Sequence, residues 1–517
     1  MKKITALLLC MVLLATIFVG CNQSGQTSSD GTTSTSAADS GSDTPAPAPS
    51  GEPSNITLVI YGDKNDRMST FTAEEIPKYV ADKGLNINVE LQVLPWSDYA
   101  TGQTELKLAS GEEFACYTDI AFMSRSIGKG YIQDLTEVIN QYGGNLLREL
   151  EQLSFDAFSS KGMYYGIPIG NKPNASEFFA VTVRQDLLEE AGMTELKTLE
   201  DVESFYTATL PNYPDYFGYC DGSPSDTYGA VRMMSRLVSD KNMLFLNELI
   251  FTDASADDDV IYSYFESEEF QEYAAIALRW NEMGIIDKQV ISDAAIAGSK
   301  FMAGQGMFRN GNAGRTWEEL LNIRNNVGDA KLKSYFIGDA NGRPLVSRGT
   351  YSTAFQVSTN VKNPEAYVQF LNLIYEDQAS FDFFTYGVKD VDYELDENER
   401  IINKKNDMVF LHEWATTHVD YMRFPDYVED DVISDYKSWN DGCIPQKDIG
   451  FAFDLEPVKD IYAQLQNVST EYLVPIALGF ADYETAFPEA QKRLKDAGID
   501  EYVAEYQRQF TEFYNNK

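Results

Sequence analysis

Histidine is almost missing from this chain of 517 residues, which has only two. That leaves little material for a histidine-built zinc centre or a Ser-His-Asp set. Cysteine is scarce too: Cys10, Cys21, Cys116, Cys220 and Cys443, with no Cys-x-x-Cys pair among them. Nothing in that spacing reads as a zinc site or a disulfide framework; one disulfide or three buried thiols both remain open for Cys116, Cys220 and Cys443. Gly-rich phosphate loops are absent. Positive charge is also short, with 41 Lys and Arg against 80 Asp and Glu, a net charge of −39. A chain this acidic is repelled by phosphate backbones, which excludes nucleic acid as a partner. Beyond its first twenty residues the chain has no apolar run of the roughly 20 residues a spanning helix needs.

What is present begins at the N-terminus. Met1-Lys2-Lys3 is a short positive head, residues 4–19 are almost wholly apolar, and Phe18-Val19-Gly20-Cys21 closes the run with small residues before a cysteine. Residues 1–20 therefore read as a secretory signal peptide. The position of Cys21 resembles a bacterial lipobox, although Phe18 stands where leucine is commoner. The resemblance implies cleavage before Cys21 and a diacylglycerol on its sulfur; a plain secretory peptide is the alternative. Loss of Lys2 and Lys3 takes the net charge from −39 to −41. After Cys21, residues 22–54 are mostly Ser, Thr, Gly, Ala, Pro and acidic residues, with Asn22, Gln23 and Gln26 and no aromatic ring. Such a stretch buries too little apolar surface to offset its ordering entropy and is expected to be a disordered tether, about 30 Å in reach. The expected location is the outer face of a cell membrane, held by lipid.

The remaining 460 or so residues suffice for two domain-sized cores. Residues 56–61 form a β-rich run, a helical stretch follows over 72–83, and residues 87–93 alternate as a second strand. Residues 119–122 predict a third strand. Helices are expected over 269–283, closed by Gly284, over 364–375, and over 489–497, closed by Gly498. Strands alternating with helices argue an α/β fold with a mostly parallel sheet. The acidic run Asp253 to Asp259 lacks the glycine and terminal glutamate of a calcium loop and reads as solvated surface.

Several phrases carry a family likeness. Trp96-Ser97-Asp98-Tyr99, Leu106-Lys107-Leu108-Ala109-Ser110-Gly111-Glu112 and Thr118-Asp119-Ile120 resemble the opening of extracellular solute-binding proteins of carbohydrate ABC importers. Met163-Tyr164-Tyr165-Gly166-Ile167-Pro168, Val183-Arg184-Gln185-Asp186 and Asn363-Pro364-Glu365-Ala366 resemble later strands and helices of that family. Gly450-Phe451-Ala452-Phe453-Asp454-Leu455-Glu456-Pro457-Val458, with Leu494-Lys495-Asp496-Ala497-Gly498, is similar to the C-terminal region of its large aldouronate- and oligosaccharide-type lipoproteins. In order and spacing the motifs cover nearly the whole mature chain.

The resemblance implies two interlaced α/β lobes of the periplasmic-binding-protein type II kind, distantly like maltose-binding protein, with a ligand cleft between them. It places lobe 1 at residues 55–178 with 352–390 and lobe 2 at 179–351 with 391–517. Crossings are expected near 178–183, 351–357 and 386–392. It implies a carbohydrate ligand, membrane permease subunits as partners, a monomer, no cofactor, no metal and no catalysis. A peptide or other small solute on the same fold, or an exported glycosidase, are the alternatives.

Sugar binding needs rings for C–H-rich faces and polar groups for hydroxyls. Candidates lie at expected strand ends. Asp63 follows the first strand, as ligand contact or turn aspartate. Met123 and Arg125 follow the third, Arg125 being a hydroxyl or carboxylate partner or a surface arginine. Tyr165 is either a stacking ring or packing beneath the hinge. Arg309 and Asn310 resemble the loop that carries a ligand tryptophan in the maltose-binding relative; here that ring is missing unless Trp317 replaces it. Tyr351 and Tyr386 sit at the later crossings.

Overall fold

The computed structural model describes residues 51–95, 103–118, 126–171, 180–219, 238–290, 295–311, 314–336, 346–347 and 353–516. Cys21, Met123, Arg125, Cys220 and Tyr351, and the strand expected at 119–122, lie outside them. Nine strands build the two principal sheets of this part: β1 Ser54–Tyr61, β2 Ile87–Leu94, β3 Ala115–Thr118, β4 Ile167–Pro168, β5 Ala180–Arg184, β6 Phe217–Tyr219, β7 Gly306–Gly311, β8 Leu332–Phe336 and β9 Ala354–Val357.

The first sheet runs β2-β1-β3-β9-β4. β1 pairs in parallel with β2 and β3, while β9 is antiparallel to β3 and to β4. Alternation along β1 explains why both of its faces are dry. Ile56, Leu58 and Ile60 enter one apolar cluster with Phe71, Ile76, Phe355 and Phe370, and Val59 enters another with Leu108, Phe114 and Phe158. A parallel strand covered on both sides reads as a near-continuous apolar run, which is what the sequence shows. The second sheet runs β8-β5-β7-β6, with β5 antiparallel to both neighbours and β7 parallel to β6.

Two bodies follow from this packing. Lobe 1 gathers the first sheet with helices α1 Pro364–Asn372 and α2 Gln378–Tyr386. Lobe 2 gathers the second sheet, the helix Glu268–Met283 and the C-terminal helices Tyr483–Asp496 and Ile499–Asn515 around Phe205, Trp280, Phe308, Leu494 and Phe510. Ser267 caps the helix Glu268–Met283, accepting from Phe270 N, and Gly284 closes it at φ +81°. Left-handed closure of that kind favours glycine because it has no Cβ. The C-terminal helix starts at Tyr483 rather than at 489, because Asp482 supplies the N-cap. The carboxylate accepts from Thr485 N at 3.1 Å.

Residues 391–415 stay with lobe 1, which moves the expected boundary at 390. Tyr393, Ile401, Met408, Val409, Phe410, Leu411 and Ala415 are all buried in the lobe 1 core. Arg67, in the helix that follows β1, clamps Asp392 with Nε and Nη2 at 2.6 and 2.8 Å and ties this stretch down. Tyr421 and Arg423 still contact lobe 1, and the chain reaches the lobe 2 cluster only at Phe424. Cys116 is a buried thiol, and burial pushes its pKa up to about 12. Among the described residues no helix is long and apolar enough to cross a membrane.

Candidate functional site

In open α/β sheets, ligands collect outside the carboxyl ends of the parallel strands. In lobe 1 that edge is formed by Gly62 after β1, Tyr117 and Thr118 at the end of β3, Gly170 and Asn171 after β4, and Thr353 just before β9. One continuous stretch, residues 408–418, lies along it. A Cβ on Gly62 would come 2.4 Å from Met408 Cε, and Asn65 donates to the Met408 carbonyl at 3.0 Å. Further along, Thr353 Oγ1 donates to the Ala415 carbonyl at 2.6 Å and Asn171 N to the Thr417 carbonyl at 2.5 Å. Gly170 leaves the room this needs: its Cβ would lie 2.4 Å from the Ala415 oxygen.

This strap carries both histidines of the chain and one tryptophan. Trp414 is half-buried and meets Tyr117 edge to face, with ring centroids 5.4 Å apart. His412 lies 5.5 Å from the indole, and its Nδ1 accepts from Trp414 N at 3.4 Å. Glu413, between them, pairs with Lys404 at 3.1 Å. His418 is buried, with Nε2 3.0 Å from the Glu149 carbonyl. A carbonyl only accepts, so Nε2 carries the hydrogen and Nδ1 accepts from Asp420 N at 3.3 Å.

Past His418 the strap stays on lobe 1 as far as Arg423, with Tyr421 packed on Tyr375 and Phe381. Arg423 donates from Nε and Nη2 to Asp382 at 3.0–3.2 Å and from Nη1 to Glu399 at 2.9 Å. Desolvation works against the guanidinium charge, but these bonds outweigh it and the Arg423 pKa ends above its usual value. The Asp382 carboxyl is pushed up by desolvation, which Arg423 opposes without cancelling. One residue on, Phe424 is buried with Val428, Trp317, Tyr436, Trp439 and Ala180. Ala180 opens β5 opposite Gly311, the end of β7, and Phe336, the end of β8. This aromatic cluster therefore occupies the corresponding strand edge of lobe 2, and residues 408–428 run from one edge to the other.

The sequence candidates fall into three groups. Asp63 is exposed directly after β1, at the lobe 1 edge where it was expected. Tyr165 is half-buried against the Phe158 and Ala354 cluster, its pKa raised by burial and by Asp134, which fits packing. Arg309 is buried and bonded to Glu319 at 2.9 Å, and Asn310 is buried beside it. Tyr386 ends α2 inside lobe 1, its hydroxyl accepting from Arg423 N at 2.8 Å, so it marks no crossing. Trp317 is buried between Phe424 and Tyr436 and does not take the place of the missing loop ring. Arg184 is committed as well, to Asp186 at 2.6 and 2.9 Å and to the Gly304 carbonyl at 2.8 Å. The residue missed is Trp414. Its signal was the grouping of both histidines and a tryptophan within seven residues of an otherwise histidine-poor chain.

Comparison with known proteins follows the same lines. Residues 448–515 match the model described as "Domain of unknown function (DUF3502)". Over 493 residues the chain is 24% identical to a Streptococcus pneumoniae serotype 4 protein named carbohydrate ABC transporter substrate-binding protein, covering 91% of this chain and 93% of that one. Among solved structures, the N-glycan transport solute binding protein NgtS from Streptococcus pneumoniae superposes with a TM-score of 0.71 at 20% identity, over 90% of this chain and 99% of that one. The fold is that of a solute-binding protein. The same S. pneumoniae protein in complex with Man5GlcNAc gives a TM-score of 0.63, again at 20% identity, with 90% and 99% covered. The two-lobed α/β architecture implied by the sequence motifs is thus the observed one.

Proposed function

We propose that this chain is an extracellular solute-binding protein that captures a carbohydrate and delivers it to the permease of an ABC importer. In this reading residues 1–20 are removed, Cys21 carries the lipid, and residues 21–54 tether the receptor to the membrane. The observation that carries it is the strap: one segment places a half-buried tryptophan, two histidines and a glutamate along the strand edge of lobe 1, then anchors at the matching edge of lobe 2. Rings and polar groups set together on such an edge suit a polyhydroxylated ligand. The names of the similar proteins support the same class of ligand and transport system.

The test is a thermal-shift screen of residues 22–517 against a glycan panel. Ligand at 100 times its dissociation constant adds about 2.7 kcal/mol of stability. Binding without change in the glycan, followed by chromatography over hours, supports a receptor. Turnover of the bound glycan sinks it in favour of an exported glycosidase, and stabilisation by peptides alone sinks the carbohydrate assignment.

A further inference from the structure

We infer that Trp414 is the ring on which lobe 1 stacks a pyranose face, and that it contributes more to affinity than any other aromatic residue described at that edge. This rests on the carbohydrate-receptor reading and gives it a residue. The other described tryptophans are committed to packing: Trp280, Trp317 and Trp439 are 1%, 6% and 7% exposed. Trp414 alone among them is half-buried rather than buried.

Its placement is fixed from several sides. The Ala415 carbonyl is held by Thr353 and the Thr417 carbonyl by Asn171, and Thr417 Oγ1 reaches back to the Glu413 carbonyl at 2.9 Å. Tyr117 and His412 set the tilt of the ring. A platform pre-set in this way spends little ordering entropy on binding, and that raises its contribution to affinity. Tyr117 itself is 5% exposed and supports Trp414 from below rather than offering a face of its own. Asp63 is exposed just beyond β1 on the same lobe 1 edge, and its carboxylate can accept hydrogen bonds from hydroxyls.

The experiment uses residues 22–517 carrying Trp96→Phe, so that the fluorescence reports on described tryptophans, with Man5GlcNAc and other neutral oligosaccharides as probes. Three versions are titrated: this background, Trp414→Ala and Trp414→Phe. The expected result is a ligand-induced change in emission in the background protein that is absent from both variants. Affinity should fall about 30-fold or more in Trp414→Ala and largely recover in Trp414→Phe, which restores a ring. Recovery by phenylalanine separates stacking from a general loss of fold. Equal affinity in background and Trp414→Ala would overturn the inference and leave the receptor reading standing. Failure of the background protein to bind any glycan of the panel would overturn both.

Discussion

Arg423 and Asp382 form a buried, doubly bonded ion pair on the lobe 1 side of the strap, one residue before Phe424 enters the aromatic cluster of lobe 2. The chain is thus fastened to lobe 1 by charge at Arg423 and by the Ile401 backbone, which donates to the Phe424 carbonyl and accepts from Asp426 N, while the Phe424 ring enters the cluster at the lobe 2 edge.

Arg423→Met leaves the Asp382 carboxylate buried without its partner. Breaking a buried pair from one side costs about 3–5 kcal/mol, read as a lower urea midpoint at pH 7. The folded-state Asp382 pKa, already raised by desolvation, then rises further. The stability deficit is therefore largest above that pKa and shrinks as pH falls through it and the carboxyl takes up a proton. The double variant Arg423→Met, Asp382→Leu should recover most of the loss. A deficit that does not vary between pH 7 and pH 4 would contradict this account of the pair.

Asp377 should make a contribution of opposite sign. It caps α2 by accepting from Ser380 N and Oγ, both at 2.7 Å. Desolvation works to raise its pKa, yet these bonds and Lys83 outweigh it and the carboxyl ends below its ordinary value. Its stabilisation is present above about pH 4, the unfolded carboxylate value, and is lost as pH falls through the folded one. Asp377→Asn keeps a good cap without a titrating group. Stability at pH 7 should change by no more than about 0.5 kcal/mol, while the slope of stability against pH between 4 and 2 becomes shallower. Denaturant titrations across that range measure it.

Gly170→Ala should push the strap off the lobe 1 edge. Its new methyl would meet a backbone carbonyl, that of Ala415, at 2.4 Å, and Thr353 Oγ1 at 3.1 Å. The carbonyl cannot turn away without giving up the bond from Thr353. Overpacking of this kind costs about 1–3 kcal/mol, seen as a lower melting temperature. Glycan affinity should weaken with it, because Trp414 is the preceding residue to Ala415. A lower melting temperature with unchanged affinity would remove the strap from the binding site.

Cys21→Ser tests the tether. The expected outcome is protein in the medium or an uncleaved precursor, measured by fractionation and the mass of the product. Retention in the membrane at the normal processed mass would refute lipid attachment at Cys21.

Much of the fold could be read from residue patterns, because strands such as β1 and helices such as Glu268–Met283 announce themselves by apolar periodicity and by caps. The third crossing could not. Residues 386–392 look like an exit after an aromatic-rich helix, but what keeps residues 391–415 in lobe 1 is a contact 325 positions away, between Arg67 and Asp392. Sequence spacing carries no trace of such a pair. Arg309 and Tyr386 went astray for a related reason. Position at a strand end or helix end says where a side chain starts; Glu319 and the Arg423 amide, not visible in any local motif, decide what it does. Asp63 lies exposed just beyond β1, a position that strand pattern alone gives.

The wall along the edge of lobe 1 is written in one short, uninterrupted stretch of sequence, whereas the scaffold beneath it is assembled from segments hundreds of positions apart. Residues 408–418 rest on the scaffold in two ways, through backbone carbonyls held by Asn65, Thr353 and Asn171 and through the side chains of Met408, Val409, Phe410, Leu411 and Ala415 buried in the lobe 1 core. Core filling and surface presentation are thereby interleaved: the Phe410 ring packs on Phe71, Phe370 and Phe384, and four residues on Trp414 is only half-buried. Positions 412–414 can therefore change with little effect on packing, whereas exchange of the whole stretch would take five side chains out of the lobe 1 core.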